Sequence, residues 1–288
     1  MNRHLPATEI ARSLECFIAT SQYTELRVLR YGEREQTYVG WFDGSHLLQM
    51  AQHAIHFGRQ AGGVYFIPNP ISPVTAAQRL NRIDRAYGVK PTRDEDVEER
   101  RHLIVDLDPR RSYIDHRDQY HENGPFPSSG RELGFARRVA RKYVVPFFLD
   151  LGYRPPIEML SGNGIHLVFQ VAPQPAVLPR HQDVLRDALE KASQEFSCWG
   201  VTIDPATYNA SRMLKVPGTM VRRGAPYPGR PFRMARIVRV NVDEWVAPQS
   251  TGPQEDSRPG LSGLGHAPTT SAAPPDPKPE RLLFDGCA

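Results

Sequence analysis

The chain has 288 residues, 40% of them hydrophobic, enough to bury a core in one large or two small domains, and its formal net charge of +4 favours a polyanionic partner only mildly. Its three cysteines are scattered without a Cys-x-x-Cys pair, which excludes a disulfide framework and disfavours a four-ligand zinc site. No apolar run reaches about 18 residues and the N-terminus lacks a signal-peptide core, so we expect a cytoplasmic protein with no membrane segment.

The first elements along the chain predict an N-terminal αβ unit. Periodicity and end signals indicate a helix over 7–20, strands over 25–31 and 36–42, a helix over 45–57 and a strand over 63–67. No linker-like segment separates these elements from those that follow. We therefore expect this unit to pack on the rest of the same domain.

A short apolar run that begins at Leu103 ends in two carboxylates, Asp106 and Asp108. A single apolar residue, Leu107, separates them. The run predicts a buried strand, in which residues i and i+2 project to the same face. Two neighbouring carboxylates at the end of an apolar strand repel each other and lose hydration unless a cation lies between them. The pattern therefore favours a hard divalent cation with oxygen ligands, Mg²⁺ or Mn²⁺.

Two helices and a hairpin follow. Apolar residues at helical spacing predict helices over 132–145 and 184–196. Between them, two β-like runs over 155–171 flank Ser161-Gly162-Asn163-Gly164, a sequence typical of a tight hairpin turn. His166 then falls near the start of the second strand, on its polar face. A lone histidine is more often structural, but the small turn beside it leaves space for a phosphate or a base to approach.

A third apolar strand, 201–204, ends in Asp204, and no acidic residue occurs from there to residue 242. The same stretch is rich in basic residues: Arg212, Lys215, Arg222, Arg223, Arg230, Arg233, Arg236 and Arg239. A solvated surface normally mixes both signs of charge, so the one-sided charge indicates a polyanion-binding segment. The side chains that we expect to contact nucleic acid are Arg222, Arg223, Arg230 and Arg233.

The order strand, helix, hairpin, helix, strand, followed by a strand over 232–240, predicts a two-layer α/β architecture. It resembles an RRM-like βαββαβ unit with the acids on its open sheet face, and the N-terminal αβ unit packs on it. We expect one domain over 1–247. Residues 248–288 are rich in proline and small residues and predict a disordered tail.

These blocks resemble the archaeo-eukaryotic primase superfamily, specifically the primase-polymerase domains of phage and plasmid replication proteins. That family is marked by an hhhDhD strand, a small-x-His strand and an hD strand. Here they stand as Ile104-Val105-Asp106-Leu107-Asp108, Gly164-Ile165-His166 and Ile203-Asp204. The flanking blocks 100–106, 161–164, 208–219 and 230–233 are also similar to family members, and the resemblance covers about residues 20–245.

The resemblance implies a template-directed nucleotidyltransferase, a DNA primase or polymerase that joins nucleoside triphosphates on a single-stranded DNA template and primer. Asp106, Asp108 and Asp204 are then the catalytic residues and the ligands of one or two Mg²⁺ or Mn²⁺ ions. Many relatives continue into a helicase domain that is absent from this sequence, so a separate replicative helicase is the expected partner for unwinding.

The resemblance also assigns residues to the incoming nucleotide. His166 contacts its phosphates by family analogy, and Arg212 and Lys215 neutralise phosphate charge. Ser161 and Asn163 add hydrogen bonds near the triphosphate, with a turn-forming role as the alternative for Asn163.

Three alternatives remain open from the sequence. A gap-filling or repair polymerase of the same superfamily shares the acids and the histidine but does not start primers. A non-catalytic replication initiator uses the fold to bind single-stranded DNA, although it gains nothing from acids that repel phosphate. A metal nuclease is the third, because two-ion sites also cleave phosphodiesters.

Overall fold

The computed structural model describes residues 5–240 except 115, 122, 177, 199 and 227. The Pro-rich tail predicted for 248–288, and the domain boundary predicted after residue 247, lie outside the described residues. Within them the protein is a mixed α/β structure built from antiparallel sheets and several helices. None of the helices there combines the length and the apolar character that crossing a membrane requires.

The described helices are α1 (Ala7–Glu15), α2 (Leu47–Gly58), α3 (Pro73–Ala76), α4 (Gly130–Val139), α5 (Val145–Asp150) and α6 (Pro179–Phe196). A π-helical turn, Ala140–Val144, joins α4 to α5. The described strands are β1 (Tyr23–Tyr31), β2 (Gln36–Asp43), β3 (Ala61–Phe66), β4 (Asp84–Arg85), β5 (Glu99–Pro109), β6 (Tyr113–Ile114), β7 (Tyr120–His121), β8 (Ile157–Leu160), β9 (Ile165–Pro175), β10 (Val201–Ile203), β11 (Leu214–Lys215), β12 (Met220–Val221), β13 (Arg233–Met234) and β14 (Arg236–Arg239).

Local signals explain where two of the long helices begin. The Ser129 hydroxyl accepts a hydrogen bond from the Glu132 amide, and the Glu132 carboxylate accepts one from the Ser129 amide. This reciprocal pair satisfies two backbone donors and fixes the start of α4. Pro179 occupies the first position of α6, where its missing amide proton costs nothing. For this reason α6 starts five residues before the predicted position, Val184.

The N-terminal elements form the first sheet, with the strand order β11-β3-β1-β2-β4 and antiparallel pairing. Its apolar side chains, such as Leu26 and Val28, share one buried core with α1 and α2. The predicted helix over 7–20 is shorter and ends at Glu15. The edge strand β11 was not predicted, and it joins residues far downstream to this first sheet.

The second sheet has the order β10-β5-β9-β8-β14, and every neighbouring pair is antiparallel. Along the chain its elements run strand, helix, two strands, helix, strand, as predicted. The alternate residues Leu103, Val105 and Leu107 of β5 pack against α4 and α6. Burying this face on two helices fixes the register of β5, because a one-residue slip would turn all three to the other side.

The other face of the second sheet is not open, contrary to the prediction. Ile104 and Val168 point to that side and are buried in the same core as the N-terminal elements. Asp106 and Asp108 continue the Ile104 face along β5, so they point toward the N-terminal unit. The acids therefore lie in a cleft rather than on an exposed sheet surface.

The strand predicted over 232–240 is two strands. β13 pairs with β12, whereas β14 pairs with β8 at the edge of the second sheet. Between them Ala235 is fully buried, and its amide donates to the Thr219 carbonyl. The chain therefore changes partner at Ala235, a tertiary event that alternation alone does not reveal.

Candidate active site

The cleft is built around Asp106, which lies directly opposite His166 in the register of β5 and β9. His166 Nε2 is 3.3 Å from Asp106 Oδ1, an ion-pair distance without hydrogen-bond alignment. Within the described residues, buried Asp106 Oδ1 and His166 Nδ1 have no hydrogen-bond partner. Buried polar atoms are nearly always satisfied, so these two atoms mark a place where a ligand can bind.

The two carboxylates of β5 have opposite electrostatic environments. Burial alone would raise the pKa of Asp106, but His166, Arg212 and Lys215 outweigh it and lower this pKa below its usual value. The pKa of Asp108 is raised, first by burial and then by the negative charge of Asp106. Asp108 is therefore a carboxylate that lacks a sufficient cation, and a divalent ion beside Asp106 and Asp108 would relieve the repulsion.

Asp204 approaches the same place from β10. Its amide donates to the Asp106 carbonyl at 3.1 Å, and its Oδ1 accepts from the Ala206 amide at 2.9 Å, which caps a short 3-10 turn. Arg212 Nη2 lies 3.0 Å from Asp204 Oδ2 and 3.6 Å from Asp106 Oδ2. The guanidinium group thus bridges two of the three predicted metal ligands.

The residues present fit one hard cation at the β5 carboxylates. Asp106 contributes an unsatisfied buried oxygen, and Asp108 contributes a carboxylate whose charged form is disfavoured by burial and by the charge of Asp106. Oxygen ligands of this kind, with waters and substrate phosphates, are what Mg²⁺ binds. In the part of the chain that the structure describes, no three His, Cys, Asp or Glu side chains are grouped so that they could hold a metal ion. To act as a third ligand, Asp204 would have to release its ion pair with Arg212 and bind the cation instead.

The hairpin turn brings its backbone close to these acids. The Ser161 hydroxyl accepts from the Gly164 amide at 3.0 Å, and Gly162 has φ of +96°. A Cβ at Gly164 would lie 2.6 Å from Asp108 Oδ1, so only glycine lets the carboxylate pack there. The Asn163 side-chain oxygen accepts from the Ser128 amide at 3.2 Å, while its buried Nδ2 has no partner among the described residues. Asn163 serves the turn and also presents a donor to the cleft.

Lys215 enters the cleft from the first sheet. β11 pairs with β3, and Lys215 Nζ lies 3.6 Å from the centre of the Tyr65 ring and donates to the Tyr65 hydroxyl. Burial, followed by the positive charges of Arg30 and Arg223, lowers the pKa of Lys215 to about 7. A nearby anion would restore the charged form of the lysine.

The cleft has a volume of about 230 Å³ and brings most of the predicted site residues together. It is lined by eight of them: Asp106, Asp108, Ser161, Asn163, His166, Arg212, Lys215 and Arg223. Arg30 and Tyr65 also line it and were not identified from the sequence. Neither stands in a motif, and each reaches the cleft through the packing of the first sheet on the second.

Three of the predicted nucleic-acid contacts are engaged inside the fold. Arg222 donates to the carbonyls of Gly58, the last residue of α2, and of Ala61, the first residue of β3. The two terminal guanidinium nitrogens of Arg230, Nη1 and Nη2, donate to the Glu132 carboxylate at 2.6 Å. Arg233 donates to the backbone carbonyl of Ser128. These side chains stabilise the structure, and of the four predicted contacts only Arg223 is exposed at the cleft.

The cleft is therefore lined both by two carboxylates and by several positively charged side chains. Such a site can hold a phosphate ester or anhydride together with a divalent cation, because the carboxylates bind the metal and the cations bind the phosphate oxygens. Comparisons with protein-family models, with curated proteins and with solved structures found no match for this chain.

Proposed function

We propose that this protein is a template-directed nucleotidyltransferase of the primase-polymerase type. The observation that carries the proposal is that Asp106 and Asp108 share one strand face and oppose Arg212 and Lys215 across a single cleft, with His166 paired to Asp106. The chain order of the second sheet also agrees with the RRM-like unit of that superfamily. Acids, histidine and cations thus lie together as the resemblance requires.

We assign the binding of divalent ions to the three acidic residues Asp106, Asp108 and Asp204. Mg²⁺ or Mn²⁺ bound there would polarise the triphosphate and activate the primer hydroxyl. Asp106 is poised for this role because its lowered pKa keeps it ionised. Burial and then repulsion from Asp106 oppose the ionisation of Asp108, so its ionisation and cation binding reinforce each other. Asp204 contributes when its contact with Arg212 is released.

The remaining groups bind the nucleotide. The planar guanidinium of Arg212 matches two phosphate oxygens, and Lys215 supplies a point charge. His166 can donate from the ring nitrogen that has no partner within the described residues, and Asn163 Nδ2 can donate nearby. The hydroxyl of Ser161 already closes the hairpin turn, so its role is to fix the turn that carries Asn163.

Single-stranded DNA is the proposed partner, as template and as primer. Arg223 is exposed at the edge of the cleft and is the residue that we assign to its phosphate backbone.

The direct test supplies the protein with a single-stranded template, Mg²⁺ or Mn²⁺ and labelled nucleoside triphosphates, with and without a primer. We expect nucleotide addition by the wild type, and a loss of about 10³-fold or more in Asp106→Asn, because a metal ligand acts on the transition state. Asp187→Asn is the matched control, since Asp187 is an exposed residue of α6. Activity of Asp106→Asn within a few-fold of the wild type would refute the proposal. Addition only in the presence of a primer would identify the gap-filling alternative.

A non-catalytic protein that binds single-stranded DNA is the second candidate. The observation that favours it is the bridge from Arg212 to Asp106 and Asp204, which neutralises two of the acids without a metal. Binding of the template with no nucleotide addition in either metal would support this candidate. Cleavage of the template in the same reactions would instead indicate a nuclease.

A further inference from the structure

Arg30 reaches the cleft through an irregularity in β1. Between the pairs Val28–Tyr38 and Tyr31–Gln36, three residue steps on β1 span two on β2, so β1 has a bulge. Arg30 lies in this bulge with φ of +54°, in the left-handed region that non-glycine residues rarely adopt. A bulge turns a side chain away from the regular alternation of the strand. The strained backbone is the means by which Arg30 is directed into the cleft.

Two consecutive glycines of β3 provide the space for this side chain and for Lys215. A Cβ at Gly62 would lie 2.7 Å from Arg30 Nε, and a Cβ at Gly63 would lie 2.5 Å from Lys215 Nζ. Real Cβ atoms do not approach other atoms so closely, so any other residue would displace the neighbouring cation. Because Gly62 and Gly63 lack side chains, they leave room for two positively charged groups from different strands.

Neither of these two cations forms a direct ion pair with another described residue, although Asp106 and Asp108 lie near enough to raise the pKa of Lys215 against the larger effects that lower it. Among the ion pairs of the described residues, none joins Arg30 or Lys215 to a carboxylate within 4.0 Å. Their mutual repulsion contributes to the lowered pKa of Lys215, after burial. Holding two like charges together costs free energy unless an anion lies between them. The pair is therefore arranged for an anion, and both residues line the cleft.

We infer that Arg30 and Lys215, which pack against Gly62 and Gly63, form a subsite for the polyphosphate group of a nucleotide. The inference rests on the proposed function and extends it by making the first sheet part of substrate binding. A compact, multiply charged phosphate chain suits this place better than a nucleic-acid backbone, because Lys215 is half-buried beside Tyr65 and a strand with one charge per phosphate needs a more open groove.

The test measures the affinity of inorganic tripolyphosphate by calorimetry at low salt without a metal. Arg30→Gln removes one cation, whereas Gly62→Ala and Gly63→Ala keep every charge. Gly62→Ala displaces Arg30, and Gly63→Ala displaces Lys215 together with the Tyr65 ring, whose Cε2 would lie 2.9 Å from the new Cβ. We expect each variant to weaken binding about 10-fold, the usual effect of losing a charge-assisted hydrogen bond. The controls are Gly134→Ala in α4, where the nearest atom to a new Cβ is 3.9 Å away, and Arg34→Gln in the exposed β1–β2 turn. Both should bind as the wild type does.

A second measurement uses a single-stranded oligonucleotide without a terminal phosphate. Weaker oligonucleotide binding by Arg30→Gln with unchanged tripolyphosphate binding would overturn the inference, and so would unchanged binding of both. If a glycine variant fails to fold, Arg30→Gln decides the question, since Arg30 is exposed and makes no core contact. Wild-type nucleotide addition with normal tripolyphosphate binding in Arg30→Gln would refute the subsite alone. Weakened tripolyphosphate binding without any nucleotide addition would support the subsite and refute the proposed function.

Discussion

Arg230 offers the sharpest distinction between a structural and a nucleic-acid role. Its guanidinium makes two 2.6 Å hydrogen bonds to Glu132, a third of 3.1 Å to the Pro127 carbonyl, and lies 4.5 Å from the centre of the Phe126 ring. The side chains of the Arg230–Glu132 pair are only 14% and 20% exposed, so water screens the pair weakly. We expect Arg230→Ala to destabilise the fold by about 2–3 kcal/mol, which is below the sum of isolated charged bonds because water replaces part of them.

That loss corresponds to a fall of roughly 4–12 °C in Tm for a domain of this size. Thermal and urea unfolding measure it, with Arg223→Ala as the control, which removes the same charge from an exposed position. Burial would raise the pKa of Glu132, but hydrogen bonds from Arg230 and Ser129 outweigh it and lower the pKa. The pair therefore stabilises the fold above the ordinary value of 4.5, and the difference between wild type and Arg230→Ala should shrink as the pH falls through the lowered pKa. An unchanged Tm together with weaker DNA binding would refute the reasoning and restore the contact predicted from the sequence.

Three further predictions concern the cleft. His166→Ala should weaken nucleotide binding about 10-fold or more and leave template affinity nearly unchanged, as measured by titration with each ligand; loss of folding instead would indicate a core histidine. Arg223→Gln should weaken binding to single-stranded DNA regardless of sequence and reduce the slope of log affinity against log salt by about 0.7, and an unchanged slope would remove it from the interface. Asp108→Asn should abolish nucleotide addition yet raise the metal-free Tm at pH 7. The reason is that burial and Asp106 raise the pKa of Asp108, so its ionisation costs stability as the pH rises from the ordinary 3.8 through the raised value; an equal or lower Tm would contradict this.

Local patterns predicted most of the elements and the acidic side of the cleft. The alternation around Asp106 and Asp108 fixed their common face, because the buried residues that alternate with them, Leu103, Val105 and Leu107, must point to the helices. The glycine-rich turn likewise predicted the hairpin that carries His166. These features depend on neighbours within one strand or one turn, which the sequence specifies directly.

The cationic side depended on contacts between distant segments. The stretch without acids indicated a polyanion, but Arg222, Arg230 and Arg233 find carbonyls or a carboxylate elsewhere in the fold. Conversely, Arg30 belongs to no basic cluster in the sequence and reaches the cleft only through a bulge. One-sided charge in the sequence therefore did not distinguish the side chains that line the cleft from those that bind carbonyls and carboxylates of the protein itself.

The pairing of β11 with β3 has a consequence for the order in which the protein is made. Lys215 and its contact Tyr65 are 150 positions apart, so at about 5–20 residues per second a ribosome needs roughly 8–30 s to add the second after the first. In a nascent chain whose strands β1 to β3 have paired, the outer edge of β3 has unpaired backbone groups during that interval, a surface to which other chains can bind. When β11 arrives it covers that edge and delivers Lys215 in the same step. The nascent chain thus brings Lys215 to the cleft in the same step in which the edge of its first sheet becomes paired.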